Sequence, residues 1–110
     1  MKVHWDIFCT VVDNYGDIGV TWRLARQLVA EQACAVRLWV DDVRACTSPE
    51  LDITQDQQWQ QGVEVRHWSS EWQPTDAADV VIAAFACQLP SAYMEAMAAR
   101  ERTPLWMNLD

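Results

Sequence analysis

Residues 4–12, HWDIFCTVV, are rich in β-branched and aromatic side chains and predict a strand. The run stops at a carboxylate, and residues 13–17, DNYGD, predict a turn. From Ile18 the period changes. Ile18, Trp22, Ala25, Leu28 and Val29 share one face, with Arg23, Arg26, Gln27 and Glu31 largely elsewhere. That pattern predicts an amphipathic helix of about three to four turns. Residues 35–41, AVRLWVD, predict a second strand. Residues 41–53 hold one short helix and then a loop, with Pro49 disfavouring helix at the residue before it. Residues 54–62, TQDQQWQQG, are polar and take no assignment. Residues 63–68, VEVRHW, alternate and predict a third strand exposed on one side. Residues 69–77 read as loop. Residues 79–85, DVVIAAF, form a continuous apolar strand of the kind buried on both faces. Pro90 suits the first turn of a helix running to about Arg100, with Tyr93, Met97 and Met94 supplying its packing face. Residues 103–109, TPLWMNL, predict a fifth strand.

Strands alternating with helices imply right-handed crossovers, so the pattern predicts an α/β fold. The architecture expected is Rossmann-like: a mostly parallel sheet with helices on both faces. Ligands of such sheets bind beyond the carboxyl ends of the strands, and residues 10–17 are the first such end. The last strand has no covering helix after it and presents an open edge. The chain therefore reads as the front part of a longer protein.

Composition narrows the function classes. The chain has 110 residues, enough for one domain with a modest core, and 51% of them are hydrophobic. The net charge is -8 and no basic cluster occurs, which argues against a nucleic-acid partner. An acidic surface can instead steer a basic partner, or serve solubility alone. No apolar run approaches the ~20 residues of a membrane span, and the start lacks a signal-peptide pattern. A cytoplasmic location is expected. Cys9, Cys34, Cys46 and Cys87 form no C-x-x-C pair, and His4 and His67 are isolated, so free thiols and no metal site are expected.

The segment DNYGDIG carries the candidate chemistry. It is neither a dinucleotide fingerprint nor a Walker motif, since its glycines are spaced G-x-x-G and no Gly-Lys-Ser/Thr follows. Gly16 permits positive φ or a close backbone approach to a ligand. Asp17 is placed to cap the following helix, whose amides face outward and can bind an anion or a sugar oxygen. Asp13 stands at the strand's end, facing the crevice. Aspartates are also common in turns with no further role, and on spacing alone both readings stand. Of the seven tryptophans, Trp22, Trp39 and Trp106 are expected in the core. Trp59, Trp68 and Trp72 form either a satellite cluster, the favoured reading, or a sugar or partner surface.

WDIFCTVVDNYGDIGVTWRLARQL, with AVRLWVDD, GVEVRHW, DVVIAAFACQLPSAYMEAMA and PLWMNL, closely resembles the start of the EarP family. These are protein-arginine rhamnosyltransferases that modify translation elongation factor P. The resemblance runs nearly end to end and covers roughly the first third of the family's chain. It implies that residues 1–110 are part of the N-terminal, acceptor-side domain of a two-domain GT-B glycosyltransferase, without the C-terminal nucleotide-sugar domain. It implies an inverting transfer from TDP-β-L-rhamnose to an arginine of elongation factor P, without a metal. Residue by residue, it makes Asp17 the proton acceptor and Asp13 a second essential carboxylate. It places Asn14, Tyr15, Gly16 and Asp17 along the bound sugar nucleotide. This portion alone is then expected to be inactive. Two other readings remain at this point: a docking module for elongation factor P without chemistry, and a GT-B transferase with another acceptor.

Overall fold

A computed structural model describes residues 2–10, 17–41, 57–68, 76–84 and 87–109. Its elements are β1 (His4–Cys9), α1 (Asp17–Gln32), β2 (Ala35–Val40), β3 (Gln57–Gln60), β4 (Val63–His67), β5 (Val80–Ala84), α2 (Ser91–Ala98) and β6 (Leu105–Leu109). The strands form one six-stranded sheet in the order β3-β4-β2-β1-β5-β6. Every pairing is parallel except that of β3 with β4. The chain builds outward from β1 to β2 and β4, then returns to the other side of β1 for β5 and β6. The reversal falls beside β1, and its carboxyl end is the switch point of the sheet.

The pleat sends alternate residues to opposite faces. Ile7 and Cys9 meet Ile18, Trp22 and Ala25 of α1 in one buried cluster, which also takes Leu38 and Val65. Phe8 meets Tyr93 and Met97 of α2 in a second cluster with Trp39, Val81 and Ala83. The two helices thus cover opposite faces, as the alternation of strands and helices predicts. All of β5 is buried, in keeping with its unbroken apolar run.

The α2 face carries rows of side chains across the strands. One row is Glu64, Arg37, Asp6 and Val81, and the next is Arg66, Trp39, Phe8 and Ala83. Asp6 is fully buried on β1. Arg37 clamps it bidentately, with Nε to Oδ1 and Nη2 to Oδ2 both at 2.6 Å. The Trp39 indole donates to Oδ1 at 3.1 Å, and the Tyr93 hydroxyl donates to Oδ2. Tyr93 in turn accepts the Ala78 amide at 3.1 Å, and Arg37 donates to the Asp76 carbonyl at 2.8 Å. Burial and the nearby Asp6 charge hold the Tyr93 hydroxyl well above its ordinary range, so it remains a donor. Burial works against the Arg37 charge, but its bond to Asp6 and the field of Asp6 outweigh it and raise its pKa.

The sheet has a sixth strand where the sequence pattern gives no assignment. In β3 the pattern is inverted: Gln58 is buried and Trp59 is 65% exposed. An inward polar residue beside an outward aromatic hides the strand from a hydrophobicity reading. Glutamine side chains absorb the polarity, with Gln60 donating to Gln58 at 3.1 Å and Gln57 to Glu64 at 3.2 Å. The hairpin turns through Gln61 and Gly62, at φ 53° and 82°. Glycine is needed at 62 twice over, since a Cβ there would come 2.8 Å from a Val29 methyl.

Four further expectations shift. Trp106 is 46% exposed rather than core, because β6 is an uncovered edge strand. Met94 is 45% exposed, leaving the packing of α2 to Tyr93 and Met97. Pro90 is the residue before α2 rather than within its first turn, and α2 stops at Ala98. Beyond that stop, Arg100 reaches back to the Ala78 carbonyl and to Asp79 at 2.7 Å. Cys9, Cys34 and Cys87 are buried free thiols, as expected. The short helix expected within 41–53, Cys46 and Trp72 fall outside the described residues, apart from Asp41.

Asp6→Ala leaves Arg37, the Trp39 indole and the Tyr93 hydroxyl without their shared acceptor. The expected loss is about 3–5 kcal/mol, read from the urea midpoint. Tyr93→Phe keeps the ring but removes both the bond to the carboxylate and the acceptor of the Ala78 amide, and is expected to cost about 1–3 kcal/mol.

Candidate active site

The carboxyl edge of the sheet is where β1 hands over to α1. Asp13, Asn14, Tyr15 and Gly16 lie outside the described residues. Asp17 is the first residue of α1, one position earlier than the pattern sets the helix start, and its side chain is outside the described set. What the structure gives is the frame on either side of that segment. Cys9 ends β1 in full burial, and Ile18 seats the first turn of α1 in the same cluster. The Thr21 hydroxyl donates to the Ile18 carbonyl at 3.2 Å within the buried side of that turn. Gly19 faces open space, since a Cβ there would meet nothing within 4 Å. The described residues on either side of that segment, Cys9 and Ile18, are thus both buried at the switch point of the sheet.

A second group lines the same edge on the α2 side. Cys9 pairs with Val40, and Val40 with His67. The next residues are Thr10, Asp41 and Trp68, and alternation turns their side chains toward the α2 face. The Trp68 amide extends the ladder by donating to the Val40 carbonyl at 2.9 Å. Its ring stands edge-on to Phe8, with centroids 6.1 Å apart, while Phe8 stacks on Trp39 at 5.7 Å. Trp68 thus packs against the α2-side core rather than in a satellite cluster with Trp59, which lies on the surface.

Cys87 approaches from the β5 side, with its amide donating to the Ala84 carbonyl at 3.1 Å. Burial pushes its thiol up; the Thr10 hydroxyl pulls the other way, and the Asp41 charge adds to the rise. The thiol is thus neutral at physiological pH. Thr10, Asp41 and Cys87 are far apart in sequence and gather only because β1, β2 and β5 share one edge. The one local signal was a carboxylate at the end of a predicted strand, Asp41.

Among the described residues, no three of His, Cys, Asp and Glu group as metal ligands. No helix among them is long and apolar enough to cross a membrane. A cavity of about 510 Å³ opens at the other end of the strands, between His4, Arg37, Trp59, Glu64 and Asp76. Its place at the amino edge separates it from the segment that joins β1 to α1.

Comparison with known proteins adds identity to this geometry. Residues 5–110 match the family described as Elongation-Factor P (EF-P) rhamnosyltransferase EarP. A relative from Pseudomonas putida, named protein-arginine rhamnosyltransferase, is 69% identical over 112 residues, covering 100% of this chain and 30% of its own length. One of the same name from Pseudomonas aeruginosa is 60% identical over 108 residues, covering 96% of this chain and 29% of its own length. Another from Neisseria meningitidis is 45% identical over 105 residues, covering 93% and 27%. The chain therefore spans less than a third of the length of these curated relatives.

A neutral, buried Cys87 is expected to resist alkylation. In the native protein at pH 8, mass spectrometry should find iodoacetamide labelling of Cys87 slowed at least tenfold relative to the urea-unfolded chain.

Proposed function

The chain belongs to the EarP family, and from that membership we propose that it is the acceptor-side portion of an enzyme that rhamnosylates an arginine of elongation factor P. The match across residues 5–110 carries this reading. The segment that would do the chemistry joins β1 to α1, at the edge where open α/β sheets bind ligands. In this reading the chain is part of the N-terminal domain of a two-domain GT-B enzyme working in the cytoplasm. The second half holds most of the donor, TDP-β-L-rhamnose, and no metal takes part.

The chemical problem is the acceptor. An arginine side chain holds its proton with a pKa above ~12, so its nitrogens are poor nucleophiles. Carboxylates answer this in two ways. Paired, charge-assisted bonds orient the planar guanidinium. One carboxylate then accepts a proton as the nitrogen attacks. We assign orientation to Asp13 and proton acceptance to Asp17. The new bond joins a guanidinium nitrogen to the anomeric carbon. The bond from that carbon to the diphosphate oxygen breaks, and its electron pair leaves with TDP. Attack from the opposite face converts the β-linked donor to an α-linked product. Asn14, Tyr15 and Gly16 lie along the sugar nucleotide in this assignment. Holding nitrogen and carbon at attack distance supplies much of the remaining rate.

A second reading keeps the surface and drops the chemistry: residues 1–110 dock elongation factor P without transferring a sugar.

Two outcomes follow. The 110-residue chain, incubated with TDP-rhamnose and elongation factor P, should give no modified arginine by mass spectrometry. Joined to the portion of the Pseudomonas putida relative that it does not cover, the chain should transfer rhamnose. There Asp17→Asn should cut the rate by at least 10²-fold with an unchanged melting temperature. Normal modification by that variant would remove Asp17 as the base.

A further inference from the structure

The cavity of about 510 Å³ at the amino edge has no part in the transfer reading. β1 runs six residues at ~3.3 Å each, which sets its two ends roughly 17 Å apart. The cavity is therefore a separate place from the carboxyl end of the strands. Its floor continues the row of Asp6. Arg37 stands beside Asp6, Glu64 beside Arg37, and Trp59 beside Glu64. The opposite wall is the stretch 76–79, which is fastened at both ends. The Asp76 carbonyl accepts from Arg37 at 2.8 Å. The Asp79 carboxylate accepts from the His4 amide at 2.9 Å and from Arg100 at 2.7 Å, and the Asp79 amide donates to the His4 carbonyl at 2.9 Å. The walls are thus preformed, and Trp59 on the outermost strand lines them while staying exposed.

The charges around the cavity cancel in pairs. Arg37 is clamped on Asp6, Arg100 on Asp79, and Arg66 lies 3.5 Å from Glu64. Of the charged lining residues, Asp76 alone has no ion pair among the described residues. A phosphate here would meet the carboxylates of Glu64, Asp76 and Asp79, and a cation would meet Arg37 and Arg100. What the lining offers is a nearly neutral mixture of donors and acceptors beside one flat apolar ring. An uncharged sugar matches both parts, since its hydroxyls donate and accept and its C–H face can lie on an indole. We propose that this cavity is a ligand site of its own, taking a neutral pyranose with Trp59 as the stacking platform. The proposal also gives a reason for the strand QQWQ, where a large aromatic turned outward gains nothing from the core.

The test is a titration of the ¹⁵N-labelled 110-residue chain, followed by NMR, with methyl β-D-glucopyranoside and methyl α-L-rhamnopyranoside as probes. Neither a rhamnose donor nor an acceptor protein is present, so failure of the transfer reading leaves the result intact. At least one glycoside is expected to shift the Trp59 indole signal and the amides of residues 76–79. Half-saturation should fall in the millimolar range usual for a ligand of about a dozen heavy atoms. Trp59→Ala, at an exposed position that the fold does not need, should weaken binding at least fivefold as read on the amides of 76–79. Trp59→Phe, which keeps a flat ring, should recover most of that loss. Three results overturn the proposal. One is no shift of these signals by either glycoside, or a shift confined to other parts of the chain. Another is binding unchanged in Trp59→Ala. The third is an equal or stronger shift of the same signals by methylguanidinium or inorganic phosphate, which would make this a site for a charged ligand.

Discussion

The buried carboxylate of Asp6 is the constraint around which the α2 side of this domain is arranged. A charge in a sheet interior is tolerable only if it is fully paired and hydrogen-bonded. Here the pairing draws on a neighbouring strand and on the helix above. Arg37 and Trp39 come from the neighbouring strand β2, and Tyr93 comes from the helix packed above. Tyr93 passes the connection to the Ala78 amide, where the chain turns into β5. One side chain thereby ties β1, β2, α2 and the entry to β5 into a single arrangement. The Asp6–Arg37 pair need not add net stability over a well-packed apolar pair. Its carboxylate is satisfied only when the donors of Arg37, Trp39 and Tyr93 are all in place.

That network occupies the amino half of the sheet, and the candidate chemistry occupies the carboxyl edge. Between them lies the aromatic floor of Phe8, Trp39 and Trp68. The division has a physical logic. Strand ends at a switch point are where open α/β sheets bind ligands. The opposite end can be cross-linked densely without obstructing that edge. Arg100 and Asp79 add to that end, with Asp79 also accepting the His4 amide at 2.9 Å. The His4 amide and Arg100 hold the Asp79 carboxyl below the usual carboxylate range.

The two edges of the sheet are unevenly covered. At one edge, β3 is short, and its glutamines bond to one another and to the side chains of β4. At the other, Leu105, Trp106 and Met107 of β6 are all exposed. Parallel strands are ordinarily covered on both faces.

Local pattern determined much of this molecule. The period change at Ile18, the unbroken apolar run of β5 and the alternation of β4 each define an element, because burial repeats every 3.6 or every two residues. Their order is enough to define a mostly parallel sheet. The segment DNYGDIG stands out at the first strand end for the same reason, and its likeness to one family identifies the protein class. Tertiary structure decided what depends on groups distant in sequence. Asp6 reads as one polar residue in a strand until Arg37, 31 residues on, and Tyr93, 87 residues on, converge on it. The inverted strand β3 exists because β4 offers it an edge and Gly62 permits the turn. Trp106 looks like core until the edge of the sheet leaves it bare. Asp41, Thr10 and Cys87 become one group only when three strands align, since register sets which side chains stand side by side.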